Sequence, residues 1–287
     1  MDSWLTGRRL VSLPFSDHCE SLAPPRTTVA ILEKTIEQEL GHGSLRYVEI
    51  RPLRPVKVET PMHQTAVTYA FHELDLRPDV SILYSNLHHD SIQRKIRRAE
   101  REGLIYREGV TEKLLDEFYS LMKLTRQRHR VPPQPRKWFL NLIECFGDAL
   151  KIRVAYNGEQ AVAAMLTLRY RDTMVYKYGC SDHRFNRMGG MHLLYWQAIQ
   201  EAKAAGLRRF DFGRTDADQF GLMTFKKRWG AVQSKLTYMR YSKSERSTHL
   251  FDLPTGNWKA RTAQALMTRL PAPVMAKIGE LLYRHVG

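Results

Sequence analysis

Two shortages narrow what this chain can be: it has little cysteine and no long apolar run. Its 287 residues include 3 cysteines, Cys19, Cys145 and Cys180. They stand far apart, form no C-x-x-C spacing and are odd in number. That argues against a disulfide framework and for a reducing compartment. No stretch approaches the ~20 apolar residues that cross a bilayer. Met1-Asp2-Ser3-Trp4-Leu5-Thr6-Gly7-Arg8-Arg9 has no apolar region of the signal-peptide kind. A cytoplasmic protein is expected, able to touch the inner face of a membrane but not to cross it. There is no G-x-S-x-G elbow. Cys180-Ser181-Asp182-His183 contains triad residue types, but neighbours in sequence rarely assemble a triad. His88-His89 has no third ligand nearby, so no metal is expected. Short-period repeats and low-complexity segments are also missing.

Positive charge is what the chain has in excess. Lys and Arg number 45 against 30 Asp and Glu, a formal net charge of +15. Such an excess suits an anionic partner: RNA, an acidic membrane face or a phosphorylated substrate. With 43% apolar residues the chain can bury a sizeable core, and its length suits two domains.

Read along the chain, Arg9 to Phe15 is expected as a strand. Thr27 or Thr28 is positioned to cap a helix running to Leu40. Tyr47 to Arg51 and Ala66 to Leu74 read as strands. Asp90-Ser91-Ile92-Gln93 has the form of a capping box opening a helix to Glu102. Leu104 to Arg107 is a short strand, and helices follow at Thr111 to His129 and Pro135 to Cys145. The apolar period then changes to two, with Asn157-Gly158 marking a hairpin turn. Gln160 to Tyr170 and Thr173 to Cys180 continue the meander, which would put Tyr176, Tyr178 and Cys180 on one sheet face. After Gly190, residues Met191, Leu194, Tyr195, Ala198, Ile199 and Ala202 fall at helical spacing, and Gly206 ends the helix. Phe210 to Gly213 is a strand, Gly221 to Arg228 a helix and Ser234 to Tyr241 a last strand. From about Pro273 an amphipathic helix carries Val274, Ile278, Leu281 and Leu282 on one side. The order predicts an α+β fold with a mixed sheet and flanking helices.

Two features point to chemistry. Gly189-Gly190 opens a helix, whose first N–H groups suit a phosphate or developing negative charge. Phe225-Lys226-Lys227-Arg228-Trp229-Gly230 places a cation in an aromatic-flanked, glycine-closed turn downstream of Asp211-Phe212-Gly213-Arg214. A fixed ammonium there would stabilise charge on a reacting carbonyl or a diphosphate.

From about Tyr84 to Tyr241 the chain resembles the FemAB-like branch of the GNAT acyltransferase superfamily. That branch includes peptidoglycan interpeptide-bridge aminoacyltransferases and the CelD-like acetyltransferases of exopolysaccharide systems. The resemblance rests on Gln93-Arg94-Lys95-Ile96-Arg97-Arg98-Ala99, the Asn157-Gly158 hairpin, Gly189-Gly190, Asp211-Phe212-Gly213-Arg214 and Phe225-Lys226-x-x-Trp229-Gly230, in that order. Arg9-Leu10-Val11-Ser12-Leu13-Pro14-Phe15 looks like part of a first GNAT-like half. The resemblance implies a partial, shortened first GNAT-like domain over 1–83, a complete GNAT-like acyltransferase domain over 84–245 and a helical tail over 246–287.

The implied activity is cell-wall biogenesis chemistry. An acyl or aminoacyl group would pass from an activated donor to an amine or hydroxyl of an envelope precursor. The acceptor would attack the donor carbonyl directly, without a covalent enzyme intermediate. The donor would be acetyl-CoA or an aminoacyl-tRNA, with no tightly bound cofactor. Lys226, Asp211 and Arg214 are the catalytic candidates, with Asp216 and Asp218 as weaker proton acceptors; Asp211 and Arg214 would orient substrate or pair with each other. Arg184, Arg187, Gly189 and Gly190 would bind the donor, or else form an ordinary loop. Tyr176, Tyr178 and Trp229 would line an acceptor groove, or else pack the core. Arg94, Arg98 and Arg101 offer an anion-binding surface for tRNA or lipid headgroups. Two alternatives stand beside this reading: a CoA-dependent N-acetyltransferase of exopolysaccharide synthesis, and a noncatalytic basic protein that binds RNA or anionic lipid.

Overall fold

A computed structural model describes residues 1–3, 7–244, 272–283 and 285. Nine strands form one sheet: β1 (Arg9–Val11), β2 (Tyr47–Ile50), β3 (His63–Asp75), β4 (Ile105–Gly109), β5 (Leu150–Asn157), β6 (Gln160–Tyr170), β7 (Thr173–Ser181), β8 (Arg209–Thr215) and β9 (Val232–Ser242). Their spatial order is β1-β2-β9-β3-β8-β7-β6-β5-β4. The β1/β2 and β7/β8 pairs are parallel and the others antiparallel, so the sheet is mixed and mostly antiparallel. Strand β3, from the N-terminal stretch, lies between β8 and β9. The segments on either side of residue 83 therefore share one sheet.

The helices are α1 (Pro25–Gly41), α2 (Val80–Ser85), α3 (Arg94–Arg101), α4 (Glu112–Arg128), α5 (Arg136–Phe146), α6 (Gly190–Ala204), α7 (Phe220–Arg228) and α8 (Ala272–Leu282). Strand alternation sorts the core onto two faces. Met165 of β6 joins Ile96 of α3 and Leu194, Tyr195, Ala198 and Ile199 of α6. Its neighbours Ala164 and Leu166 join Phe118 of α4 and Phe139 of α5 on the other face. The helical period read after Gly190 is thus the buried stripe of α6.

Several expected boundaries move. β1 stops at Val11, because the chain turns into a loop in which Phe15 has φ 62°. Thr28 does not cap α1; it lies inside it, its hydroxyl donating to the Ala23 and Pro24 carbonyls at 3.0 Å each. The Asp90–Gln93 box does not form. A single π turn over His89–Gln93 precedes α3, and His88 Nδ1 accepts from Ser91 N–H instead. The Gln93 amide turns back to the Tyr84 and Leu87 carbonyls, at 3.0 and 2.9 Å. Helix α2 had no clear periodic signal. Part of the expected tail, 246–271, lies outside the described residues. The described part of α8 buries Met275, and Gly279 packs against Pro133 O so closely that a Cβ there would lie 2.1 Å from it. Val274 and Leu281 face outward, at 41% and 60% exposure, so the apolar side is split between packing and solvent.

Candidate active site

The site begins where two parallel strands part. β7 and β8 pair only at Thr173–Arg209, Met174–Phe210 and Val175–Asp211. Just beyond, β7 carries a bulge: Thr167 pairs with Tyr176 and Leu166 with Tyr178, which leaves Lys177 as the extra residue. The bulge overturns the expected row of aromatics. Tyr176 packs against the α6-side core, whereas Tyr178 and Cys180 belong to the α4/α5 side. Tyr178 is taken up there, its hydroxyl accepting from Trp138 Nε1 at 3.1 Å and its ring lying edge-on to Phe139.

At the open end lies a cavity of about 380 Å³. Tyr176 and Gly179 of β7, Gly190, His192 and Tyr195 of α6, and Phe225 of α7 line it, with Lys95, Arg128 and His129 at its basic edge. Tyr176 lies over Gly179, where a Cβ would come 2.1 Å from its hydroxyl. Burial raises the Tyr176 phenol above its ordinary pKa, against the lowering effects of the Tyr195 hydroxyl and Arg126. Burial, helped by Lys95, holds His192 at about 4, so its ring is neutral at pH 7.

The first turn of α6 opens onto this cavity. Gly189 is left-handed, φ 85°, and no side chain caps the helix. Among the described residues the Gly190 and Met191 N–H groups have no backbone acceptor, and both residues line the cavity. The two glycines also serve packing. A Cβ on Gly189 would sit 2.4 Å from Lys95 O, and one on Gly190 would sit 3.0 Å from Ala163 Cβ. The Arg184 guanidinium, still exposed, pairs with Asp182, the closest contact 2.6 Å. Arg187 is exposed beside the helix mouth. Arg94, Arg98 and Arg101 are exposed on α3, whose Lys95 reaches the cavity, and Arg98 pairs with Glu102 at 3.2 Å.

The catalytic candidates cluster around β8, but not as a mutual pair. Asp211 is 2% exposed and holds His18 Nε2 at 2.9 Å and Gly213 N–H at 2.6 Å. Arg214 takes Asp17 at 3.6 Å and lies over the Tyr69 ring, 4.2 Å from its centroid. Lys226 is 3% exposed and donates to the Gly213 and Arg214 carbonyls at 2.9 and 3.0 Å. Burial lowers its pKa to about 8, against the raising effects of Asp17 and Asp211. Two of its three donors thus tie α7 to the end of β8. Trp229 does not line an open groove. It is fully buried and stacks near His192, with centroids 6.1 Å apart. Asp216 comes within 4.0 Å of Arg214, and Asp218 is exposed. Among the described residues no group of three metal-ligating side chains occurs, and no helix is long and apolar enough to cross a membrane.

Residues 88–227 match the family model described as "Acetyltransferase (GNAT) domain". That stretch is therefore similar to a GNAT domain. The FemX crystal structure superposes with a TM-score of 0.59 at 14% identity, covering 74% of this chain and 76% of FemX. L-PGS from Bacillus licheniformis gives 0.54 at 14% identity, over 84% of this chain and 78% of that one. These likenesses show a shared fold. The lipid II:glycine glycyltransferase of Staphylococcus saprophyticus is 35% identical over 66 residues, 21% of this chain and 16% of that protein. The match to that curated relative therefore spans a small part of its length.

Within residues 88–227, the end of β7 beyond its pairing with β8 and the start of α6, with its Gly190 and Met191 N–H groups, line one cavity. The residues missed by sequence reasoning are His18, Lys177 and His192. His192 sits in the motif already singled out. His18 meets Asp211 across 193 residues, and no local pattern marks it.

Proposed function

We propose that this protein is an acyl- or aminoacyl-transferase acting on an amine or hydroxyl of a cell-envelope precursor of the peptidoglycan-bridge type. The observation that carries the reading is the cavity at the open end of β7, with the Gly190 and Met191 N–H groups, which have no backbone acceptor among the described residues, at its edge. Those donors and the basic edge formed by Lys95 and Arg128 suit the phosphates of an activated donor, either a CoA thioester or the end of an aminoacyl-tRNA. Catalysis would consist of holding donor and acceptor together and stabilising charge at the carbonyl. Lys226 contributes through the end of β8, where it fixes the two carbonyls, and through its own charge. The choice of acceptor is supported by the short match to a lipid II:glycine glycyltransferase. It is also supported by a fold shared with a domain assigned to a lysylphosphatidylglycerol synthetase of Agrobacterium fabrum, at a TM-score of 0.57 and 11% identity. Both names join an amino acid to a lipid. The exposed arginines of α3 would keep the enzyme near a lipid-linked acceptor from the cytoplasmic side. Donor choice is tested by calorimetric titration with CoA and with charged tRNA. The reading expects one of them to bind, and to lose affinity when Lys95 and Arg128 become glutamate. Failure of both to bind at low salt would remove the cavity as a donor site.

A further inference from the structure

We propose that His18, held by Asp211 at the apex of the parted strands, is the base that takes the proton from the acceptor. The inference rests on the transferase reading and deepens it. Asp211 occupies the last rung of the β7/β8 ladder. The bulged Lys177 of β7 lies close enough to Asp211 to feel its charge. Asp211 is buried and fixed, one oxygen on Gly213 N–H and the other 2.9 Å from His18 Nε2. The opposite ring nitrogen, Nδ1, has no hydrogen-bond partner among the described residues, and the side chain keeps 26% exposure. A buried carboxylate on one nitrogen and an open second nitrogen orient an imidazole for proton transfer and stabilise the imidazolium that forms.

The loop that presents His18 is anchored on every side. Lys177 Nζ donates to Phe15 O. Arg214 N–H donates to Asp17 Oδ2 at 3.0 Å, and the Tyr238 hydroxyl to Asp17 O at 2.5 Å. Phe15, with φ 62°, packs on Trp138 at 4.9 Å between ring centroids. The His18 ring stands edge-on to Phe71 of β3, 5.3 Å away. Backbone strain at Phe15, held by this many contacts, fits a loop shaped for a purpose.

Charged groups face His18 from each neighbouring element. Asp17 and Glu20 lie on its own loop, Asp211 on β8 and Glu73 on β3. Lys177 and Arg214 stand beyond Asp17 and Asp211. Burial lowers the His18 pKa, but the Asp211 hydrogen bond and the surrounding carboxylates outweigh it, and the net shift is upward from 6.5. In the step itself, the acceptor nitrogen or oxygen forms a bond to the donor carbonyl carbon while His18 Nδ1 accepts its proton. The bond from that carbon to the donor sulfur or oxygen breaks, and the electron pair leaves with the donor. The imidazolium then returns the proton to the leaving group or to water.

The test offers glycyl-tRNA and, separately, acetyl-CoA with lipid II to the wild type, His18→Gln, His18→Ala and Asp211→Asn. Expected is a fall in kcat of about 10²–10⁴-fold for His18→Gln, with KM little changed. The wild-type rate should decline on the acid side with a midpoint above 6.5. That limb should vanish in His18→Gln and move to lower pH in Asp211→Asn. Added imidazole should restore part of the rate of His18→Ala, which a merely structural histidine would not permit. If His18→Ala does not fold, the profile of His18→Gln decides. Wild-type rates in folded His18→Gln, or an acid limb that survives in it, would overturn the proposal. A wild type inert with both donors would instead overturn the transferase reading, and His18 with it.

Discussion

Gly189→Ala tests whether the mouth of the cavity is held as described. Gly189 has φ 85°, a conformation that costs a non-glycine residue about 1–2 kcal/mol. The new Cβ would lie 2.4 Å from Lys95 O and 3.5 Å from Ala99 Cβ. Because a carbon and a carbonyl oxygen settle at ~3.3–3.6 Å, α3 must retreat from the start of α6 by roughly 1 Å. Forced expansion of that kind costs about 1–3 kcal/mol. A total near 3 kcal/mol lowers Tm by roughly 6–12 °C in a protein of this size. Gly103→Ala is the control: its φ is 68°, but nothing lies within 4 Å of the new Cβ, so only the backbone term applies. Calorimetric melts of both variants measure the difference. A Gly189→Ala variant that loses no more than Gly103→Ala would refute the contact between α3 and the α6 mouth.

Lys226→Met probes the buried ammonium. The folded protein holds fewer protons here than the unfolded chain between about pH 8 and 10.5, so this group makes stability rise with pH across that window, by on the order of 3 kcal/mol. Urea midpoints should show the rise in the wild type and a flatter profile in the variant; identical profiles would place the Lys226 pKa elsewhere. His72 is fully buried with both ring nitrogens unpartnered among the described residues, and burial with the charges of Lys226 and Lys227 lowers it to about 4. Its contribution is therefore lost as pH falls from 6.5 toward 4; His72→Leu should be at least as stable at neutral pH and less sensitive to acid, as read by thermal melts. Vesicles of acidic lipid should retain the protein at low salt through the exposed α3 arginines, each worth about 1 kcal/mol near the surface. Reversing Arg94 and Arg98 to glutamate should release it, and salt-independent sedimentation would contradict an electrostatic contact.

Local pattern carried much of the fold. Leu194, Tyr195, Ala198, Ile199 and Ala202 are buried as their spacing requires, and Asn157-Gly158 joins β5 to β6. What escaped the sequence was non-local. The Lys177 bulge depends on how β6 and β7 pair, and it sends Tyr176 and Tyr178 to opposite faces although they stand two apart. β3 enters between β8 and β9 through pairings such as Phe71 with both Arg214 and Ser234, which no local pattern encodes. The same holds for the site. Asp211, Arg214 and Lys226 were legible as a motif, but their partners Asp17 and His18 come from a loop near the other end of the chain.

The central claim is transfer itself. Purified protein is incubated with lipid II and either glycyl-tRNA or acetyl-CoA, and the acceptor is weighed by mass spectrometry. The account predicts that one donor adds its acyl group to the acceptor, dependent on protein and reduced about 10²-fold by Lys226→Met. An acceptor of unchanged mass with both donors, while folded protein still binds RNA or acidic vesicles through α3, would contradict it and leave a binding protein on a GNAT scaffold.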